Sequence, residues 1–327
     1  MATYLAGRVI YAIVAIFIIS VISFILIQAP PGDYLTAQVT RLQGSGLKLD
    51  EAQLENLKAQ YGLDKPLHVQ YFRWVGQMFR GNFGYSFYYR FSVVYLLAAY
   101  MPFTIILALI TLAFIYIVSI PIGIISAVKQ YSVLDYVFTI LGFIGLAIPN
   151  FVLALVVMYF FYKTFGISIG GLFSREYVDA AWSLAKFGDL VRHLWAPVIV
   201  VGVAGTAGII RVIRATMLDE LGRDYMQVAR AKGLSEFKLI MKYPVRVALN
   251  PILSTIGWQL PNIIGYFVIA GIVLNLPIIG PVLLNALTAQ DMYLAGAIIL
   301  LLSVMTVIGT IVSDIFLAMA DPRIRYY

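Results

Sequence analysis

The chain has 327 residues, 61% of them apolar and only 12% charged, whereas soluble domains run nearer about 45–50% apolar and 25% charged; a soluble globular design is excluded. The formal charge of +7 sits between apolar runs, where membrane topology control puts basic residues, and so gives no case for nucleic acid as a partner. With no cysteine, disulfides, thiolate catalysis and cysteine-based metal sites are excluded as well.

In chain order, the first uncharged run is Val9 to Ala29. It exceeds a signal-peptide core of about 7–15 residues and lacks a small-x-small cleavage site before Pro30. Residues 1–30 therefore read as a cytoplasmic N-terminus, held by Arg8, and a retained first span. Residues 31–100 read as an extracytoplasmic segment with short helices. There Asp50-x-x-Gln53 resembles a capping box ahead of Leu54 and Leu57, with Gly62 as the stop. Pro66 opens a further helix, with Tyr71, Phe72, Val75, Met78 and Phe79 at helical spacing before Gly81.

The uncharged run from Phe91 to Val128 predicts one span over about 101–127, started by Pro102 and kinked at Pro121, with Phe91 to Tyr100 at the interface. Further uncharged runs cover Tyr136 to Tyr162, Leu194 to Ile210, Val247 to Gln290 and Met292 to Ser313. Asn275-Leu276-Pro277 and Gly280-Pro281 break the longest of these, which predicts a span over 250–274 followed by a re-entrant or surface segment. Six spans result, five of them in a core over 101–318, with 319–327 as a cytoplasmic tail. Charge supports that count: the segment 211–246 holds eight Lys/Arg against four Asp/Glu, and a seventh span would move it outside. The expected fold is all-α and polytopic, with both termini in the cytoplasm.

No nucleophile–base pair, Walker-type loop or metal cluster stands out. His68 and His193 fall in different outer segments. Gly202, Gly205 and Gly208 recur at every third residue of the fourth span and read as close helix packing. The spans carry no ionisable groups of the kind that mark ion-coupled transport. Their polar groups are instead Asn150, Ser254, Thr255, Gln259 and Asn262, with Trp258 nearby. These serve either interhelical hydrogen bonding or the lining of a translocation path. An intramembrane enzyme, and a secondary transporter or channel acting without an ATPase, are the readings from other classes.

The basic segment 211–246 is the most ordered in its local cues. Helix formers fill Asp224 to Lys232, Gly233 permits a turn with φ > 0, and a second helical stretch runs toward Pro244. A plain basic juxtamembrane loop would need none of these cues, although composition alone allows one.

Here a resemblance becomes specific. Gln227-Val228-Ala229-x-x-x-Gly233 resembles the EAA loop of ABC importer permeases. The fuller string from Asp224-Tyr225 through Ala229-Arg230-Ala231-Lys232-Gly233-Leu234-Ser235 is similar to the B-type subunit of the dipeptide/oligopeptide permease family. Pro31-Gly32-Asp33, Tyr61-Gly62-Leu63-Asp64-Lys65-Pro66, Gly81-Asn82-Phe83-Gly84-Tyr85-Ser86, Pro121-x-Gly123, Ile148-Pro149 and Asp321-Pro322-Arg323-Ile324-Arg325 match in the same order. Departures are Gln227 and Val228 in the EAA positions, Val245-Arg246-Val247-Ala248 after the loop, and Asn275 to Gly280 between the last two spans.

The resemblance implies a type I ABC importer permease fold in the cell membrane. It implies a second homologous permease, two ATP-binding cassette ATPases and an extracytoplasmic solute-binding protein as partners. The chain itself would be non-catalytic and bind no cofactor, with ATP and Mg on the ATPases. Asp224, Tyr225, Gln227, Val228, Ala229, Arg230, Ala231, Lys232, Gly233 and Leu234 are the implied ATPase-coupling residues. Di- or oligopeptides are the implied cargo, with oligosaccharides as the alternative; Asn150, Trp258, Gln259 and Asn262 are the candidates for the path.

Overall fold

A computed structural model describes residues 2–28 and 65–320. The expected capping box at Asp50, the stop at Gly62, the Pro31 and Tyr61 motifs (apart from Lys65 and Pro66) and the Asp321 tail lie outside the described residues. Among those described, the structure is helical, with one isolated bridge between Tyr85 and Ser92. The helices are α1 (Ala2–Gln28), α2 (Leu67–Phe79), α3 (Val93–Val128), α4 (Val133–Ala147), α5 (Asn150–Phe165), α6 (Leu184–Leu221), α7 (Asp224–Ala231), α8 (Glu236–Lys242), α9 (Pro244–Val273), α10 (Ile279–Thr288) and α11 (Met292–Ala320).

Four stretches are long and apolar enough to cross a bilayer: α3, α6, Glu236–Val273 and Met292–Leu317. The pair α4–α5 makes a fifth if it counts as one span, although its halves meet at 103°. The chain is thus a polytopic helical membrane protein with four to five such spans among the described residues.

Two boundaries differ from expectation for stated physical reasons. The third helix starts at Val93, not at Pro102, because Ser92 caps it: its Oγ accepts from Tyr95 N at 3.3 Å. Pro102 then lies inside the helix, as membrane helices tolerate. The expected single span from Tyr136 to Tyr162 is broken at Ile148-Pro149. Proline disfavours α geometry in the residue before it, and Ile148 is extended at ψ 119°.

The chain forms two compact units. The first takes residues up to 102 and 278–305. In it Phe24 of α1 meets Tyr71 edge-on at 5.5 Å, and Tyr71 shares a 2.7 Å hydrogen bond with Ser20. The buried face of α2 is Tyr71 and Trp74, while Phe72 and Phe79, expected on that face, are exposed. Trp74 lies so close to Gly296 that a Cβ there would meet its ring at 2.5 Å. Asp291, fully buried, caps α11 through Leu294 N and accepts from Ser86 Oγ at 2.6 Å and Tyr88 N at 3.1 Å.

The second unit takes 103–277 and the residues from 306. Its centre is α6, the most buried of the spans, against which α4, α5 and α9 pack. Small residues permit this. A Cβ on Gly202 would meet Phe114 at 2.5 Å, and one on Gly205 would meet Ile115 at 2.5 Å. Gly208 faces open space, so two of the three glycines fulfil the packing role. At Gly257 the approach is backbone on backbone: an added Cβ would lie 2.5 Å from Thr310 Cα of α11.

At one end of α6, Arg214 donates from Nε and Nη2 to both oxygens of Asp135, at 2.9 and 2.8 Å. The Asp135 side chain is 2% exposed and also accepts from Ser126 Oγ of α3 and from Tyr131 N at 3.0 Å. At the other end the link 166–183 is clamped onto α6. Ser174 donates twice to Asp189, and Lys186 donates to the carbonyls of Val178 and Ala180 beneath Phe173 and Trp182.

Removing one member of the buried pair strands the other. Arg214→Ala should cost about 3–5 kcal/mol, and pairing it with Asp135→Ala should recover part of that loss. Thermal unfolding of the two variants in detergent checks the order.

Candidate functional site

The connection between α6 and α9 is a helical hairpin, α7–Gly233–α8. Asp224 begins α7 and Arg230 lies in its last turn, charges of the signs that suit the helix dipole. The inward face of α7 is short: Met226 and Ala229, three residues apart, bury themselves against Leu239 of α8. Leu221, Leu234 and Tyr243 pack around this cluster, so both ends of the hairpin join its small core.

The turn is a Schellman motif. Leu234 N donates to Ala229 O at 3.4 Å and Gly233 N to Arg230 O at 2.9 Å, with Gly233 at φ +79°. The expected left-handed glycine is therefore present, and Leu234 provides the apolar contact that accompanies the motif. Across the turn, Arg230 Nε donates to Glu236 Oε1 at 2.7 Å, both side chains being substantially exposed. That pair is worth little to stability and fixes geometry more than energy.

Before the hairpin, Tyr225 donates its hydroxyl to Glu220 and rests its ring on Tyr243 at 5.8 Å. Partial desolvation of the hydroxyl, together with the Glu220 carboxylate, pushes the phenol up to about 12, so it remains a donor even in alkaline solution near its ordinary value.

Asp224, Tyr225, Gln227, Val228, Arg230, Ala231, Lys232 and Gly233 are exposed; Leu234 is half-buried and Ala229 is core. Val228 is 55% exposed, and on α8 Phe237 is 74% exposed. Both are large apolar side chains left open in a charged segment. Sequence reasoning did not pick out Met226, Glu220, Glu236 or Phe237. The spacing of Met226, Ala229 and Leu239 was the available signal for the first of them.

The path candidates divide. Trp258 is 51% exposed and Asn262 is half-buried; they lie four residues apart on one stripe of α9, which the exposed Ser254, not itself one of those candidates, extends. Gln259 is buried instead, with its Nε2 3.8 Å from where a Cβ on Gly205 of α6 would sit. Asn150 opens α5 at the 103° break. His193 Nδ1 donates to Asp189 O of its own helix at 2.8 Å, the geometry of a satisfied structural histidine.

Residues 119–326 match the family model of the binding-protein-dependent transport system inner membrane component, and residues 1–109 match that of its N-terminal region. The chain belongs to this family of membrane transport components. The permease is 33% identical over 327 residues, the full length of both chains, to the oligopeptide transport system permease protein AppB of Bacillus subtilis. It is 32% identical to the dipeptide transport system permease protein DppB of Lactococcus lactis, over 99% of this chain and all of that one. It is 30% identical to the oligopeptide transport system permease protein OppB of Escherichia coli over the full length of both. The permease is accordingly a multi-pass inner-membrane subunit of an ABC importer.

A Cβ at Gly233 would meet nothing within 4 Å, so replacement there strains only the backbone. Gly233→Ala should cost the hairpin about 1–2 kcal/mol, the left-handed penalty of an L-residue. Hydrogen exchange at Leu234 should rise accordingly. Gly222→Ala, at φ −82°, should leave it unchanged.

Proposed function

We propose that this permease takes up di- or oligopeptides, pairing with a homologous permease to enclose the path, with an extracytoplasmic solute-binding protein delivering cargo. The full-length likeness to peptide-transport permeases supports the cargo. In this reading the chain crosses the membrane six times. The first crossing is α1, whose 27 residues span roughly 40 Å at helical rise. Both termini lie in the cytoplasm, and the segment after α1 lies outside. The permease performs no hydrolysis and holds no cofactor; ATP and Mg belong to two cytoplasmic ATPases.

One observation carries the mechanism: a compact hairpin with an open, partly apolar face stands between α6 and α9, and those two helices pack on each other. The residues 224–234 occupy a groove on an ATPase. Closure of the ATPases on nucleotide displaces α7, and its small core passes the displacement to the ends of α6 and α9. Nucleotide state drives alternating access only through its differential affinity for the two permease conformations. The uncharged stripe Ser254–Trp258–Asn262 then lines the path, while Gln259 ties α9 to α6.

Gly233→Val separates the coupling role from assembly. The complex should form, and its ATPase activity should no longer rise with loaded binding protein; normal stimulation would refute the role given to the turn. Binding of short peptides and oligosaccharides by the partner binding protein decides the cargo.

A further inference from the structure

We propose that the cleft between α4 and α6 is a binding site for an anionic phospholipid. Phe138, Phe143 and Leu146 form its wall on α4 and Ala207 its wall on α6, while Arg211 and Arg214 stand at its mouth. It is a shallow groove: its cavity volume is about 20 Å³, and Phe143 and Leu146 stay exposed along it.

Three features point to this occupant. The first is charge. Arg214 spends two of its donor nitrogens on Asp135, so that pair is neutral. Arg211 is exposed, and among the described residues no carboxylate lies within ion-pair distance of it. The mouth therefore carries one uncompensated positive charge, supplemented by the guanidinium donors that Arg214 has left.

The second is position. Arg211 directly follows the uncharged run Leu194 to Ile210, and the uncharged stretch of α4 begins at Tyr136. The mouth thus lies at the edge of the hydrocarbon, and the cleft leads inward from it. Basic pockets between membrane helices at this level bind lipid phosphates.

The third is shape. From Phe138 to Leu146 the wall rises by roughly 12 Å along the helix. Its floor is narrow because Gly142 lets α4 approach α6: a Cβ there would lie 3.6 Å from that of Ala207. A short, shallow apolar groove with cations at one end matches a phosphodiester with the first part of an acyl chain lying along it. A free phosphate has no use for the apolar walls, and a partner helix needs a face longer than this.

Native mass spectrometry of the assembled transporter, titrated with phosphatidylglycerol, phosphatidylcholine or glycerol 3-phosphate, tests the site. Phosphatidylglycerol should be retained in preference to the other two. Arg211→Gln should weaken its retention about fivefold, the effect of one basic residue beside a lipid phosphate, and Arg211→Lys should restore it. Leu146→Trp, which fills the cleft and keeps both arginines, should also displace the lipid. Equal retention of phosphatidylcholine, binding of glycerol 3-phosphate as strong as the lipid, or wild-type retention by Arg211→Gln would each overturn the assignment.

Discussion

The buried carboxylate of Asp135 is the constraint on which the architecture at one end of α6 turns. A charge this deeply enclosed is tolerated only when its acceptor capacity is filled. The groups that fill it come from three separate pieces of chain: Ser126 near the end of α3, the Tyr131 amide of the following link, and Arg214 of α6. Satisfying one side chain therefore fixes three helix ends together. Because α6 carries α4, α5 and α9 around it, a fixed end on α6 becomes a reference for the whole second unit. Seven residues beyond Arg214 the same helix reaches Leu221, already part of the core of the hairpin.

That hairpin shows how much structure a very small core can set. Met226, Ala229 and Leu239 suffice because a Schellman turn and an ion pair supply the geometry that burial does not. The rest of its surface remains open. Division of labour by helix face recurs on α9, where adjacent residues part company: Trp258 looks outward and Gln259 inward.

Legibility in the sequence followed the range of the interactions. The α7 helix, the left-handed Gly233 and the second helix toward Pro244 were readable, because an acidic first turn, a run of helix formers and a glycine stop act within a few residues. The break at Ile148-Pro149 was not. Pro102, Pro197 and Pro261 lie inside continuous helices, and local sequence does not say which freed carbonyls find new partners. The pairing of Asp135 with Arg214, 79 residues apart, has no local signature at all. The same holds for the candidate path: the amides were visible as a group, but which of them share a face of α9 and which point into α6 depends on packing.

The crossing of α9 and α11 at Gly257 has a mechanical consequence. Gly257 sits near the middle of the 30-residue α9, and the contact there is peptide against peptide, with no pliable side chain between. A joint of that kind resists sliding and compression but not rocking. If the end of α9 at Pro244 is pushed one way, the end at Val273 swings the other way, as on a seesaw whose pivot is the missing side chain.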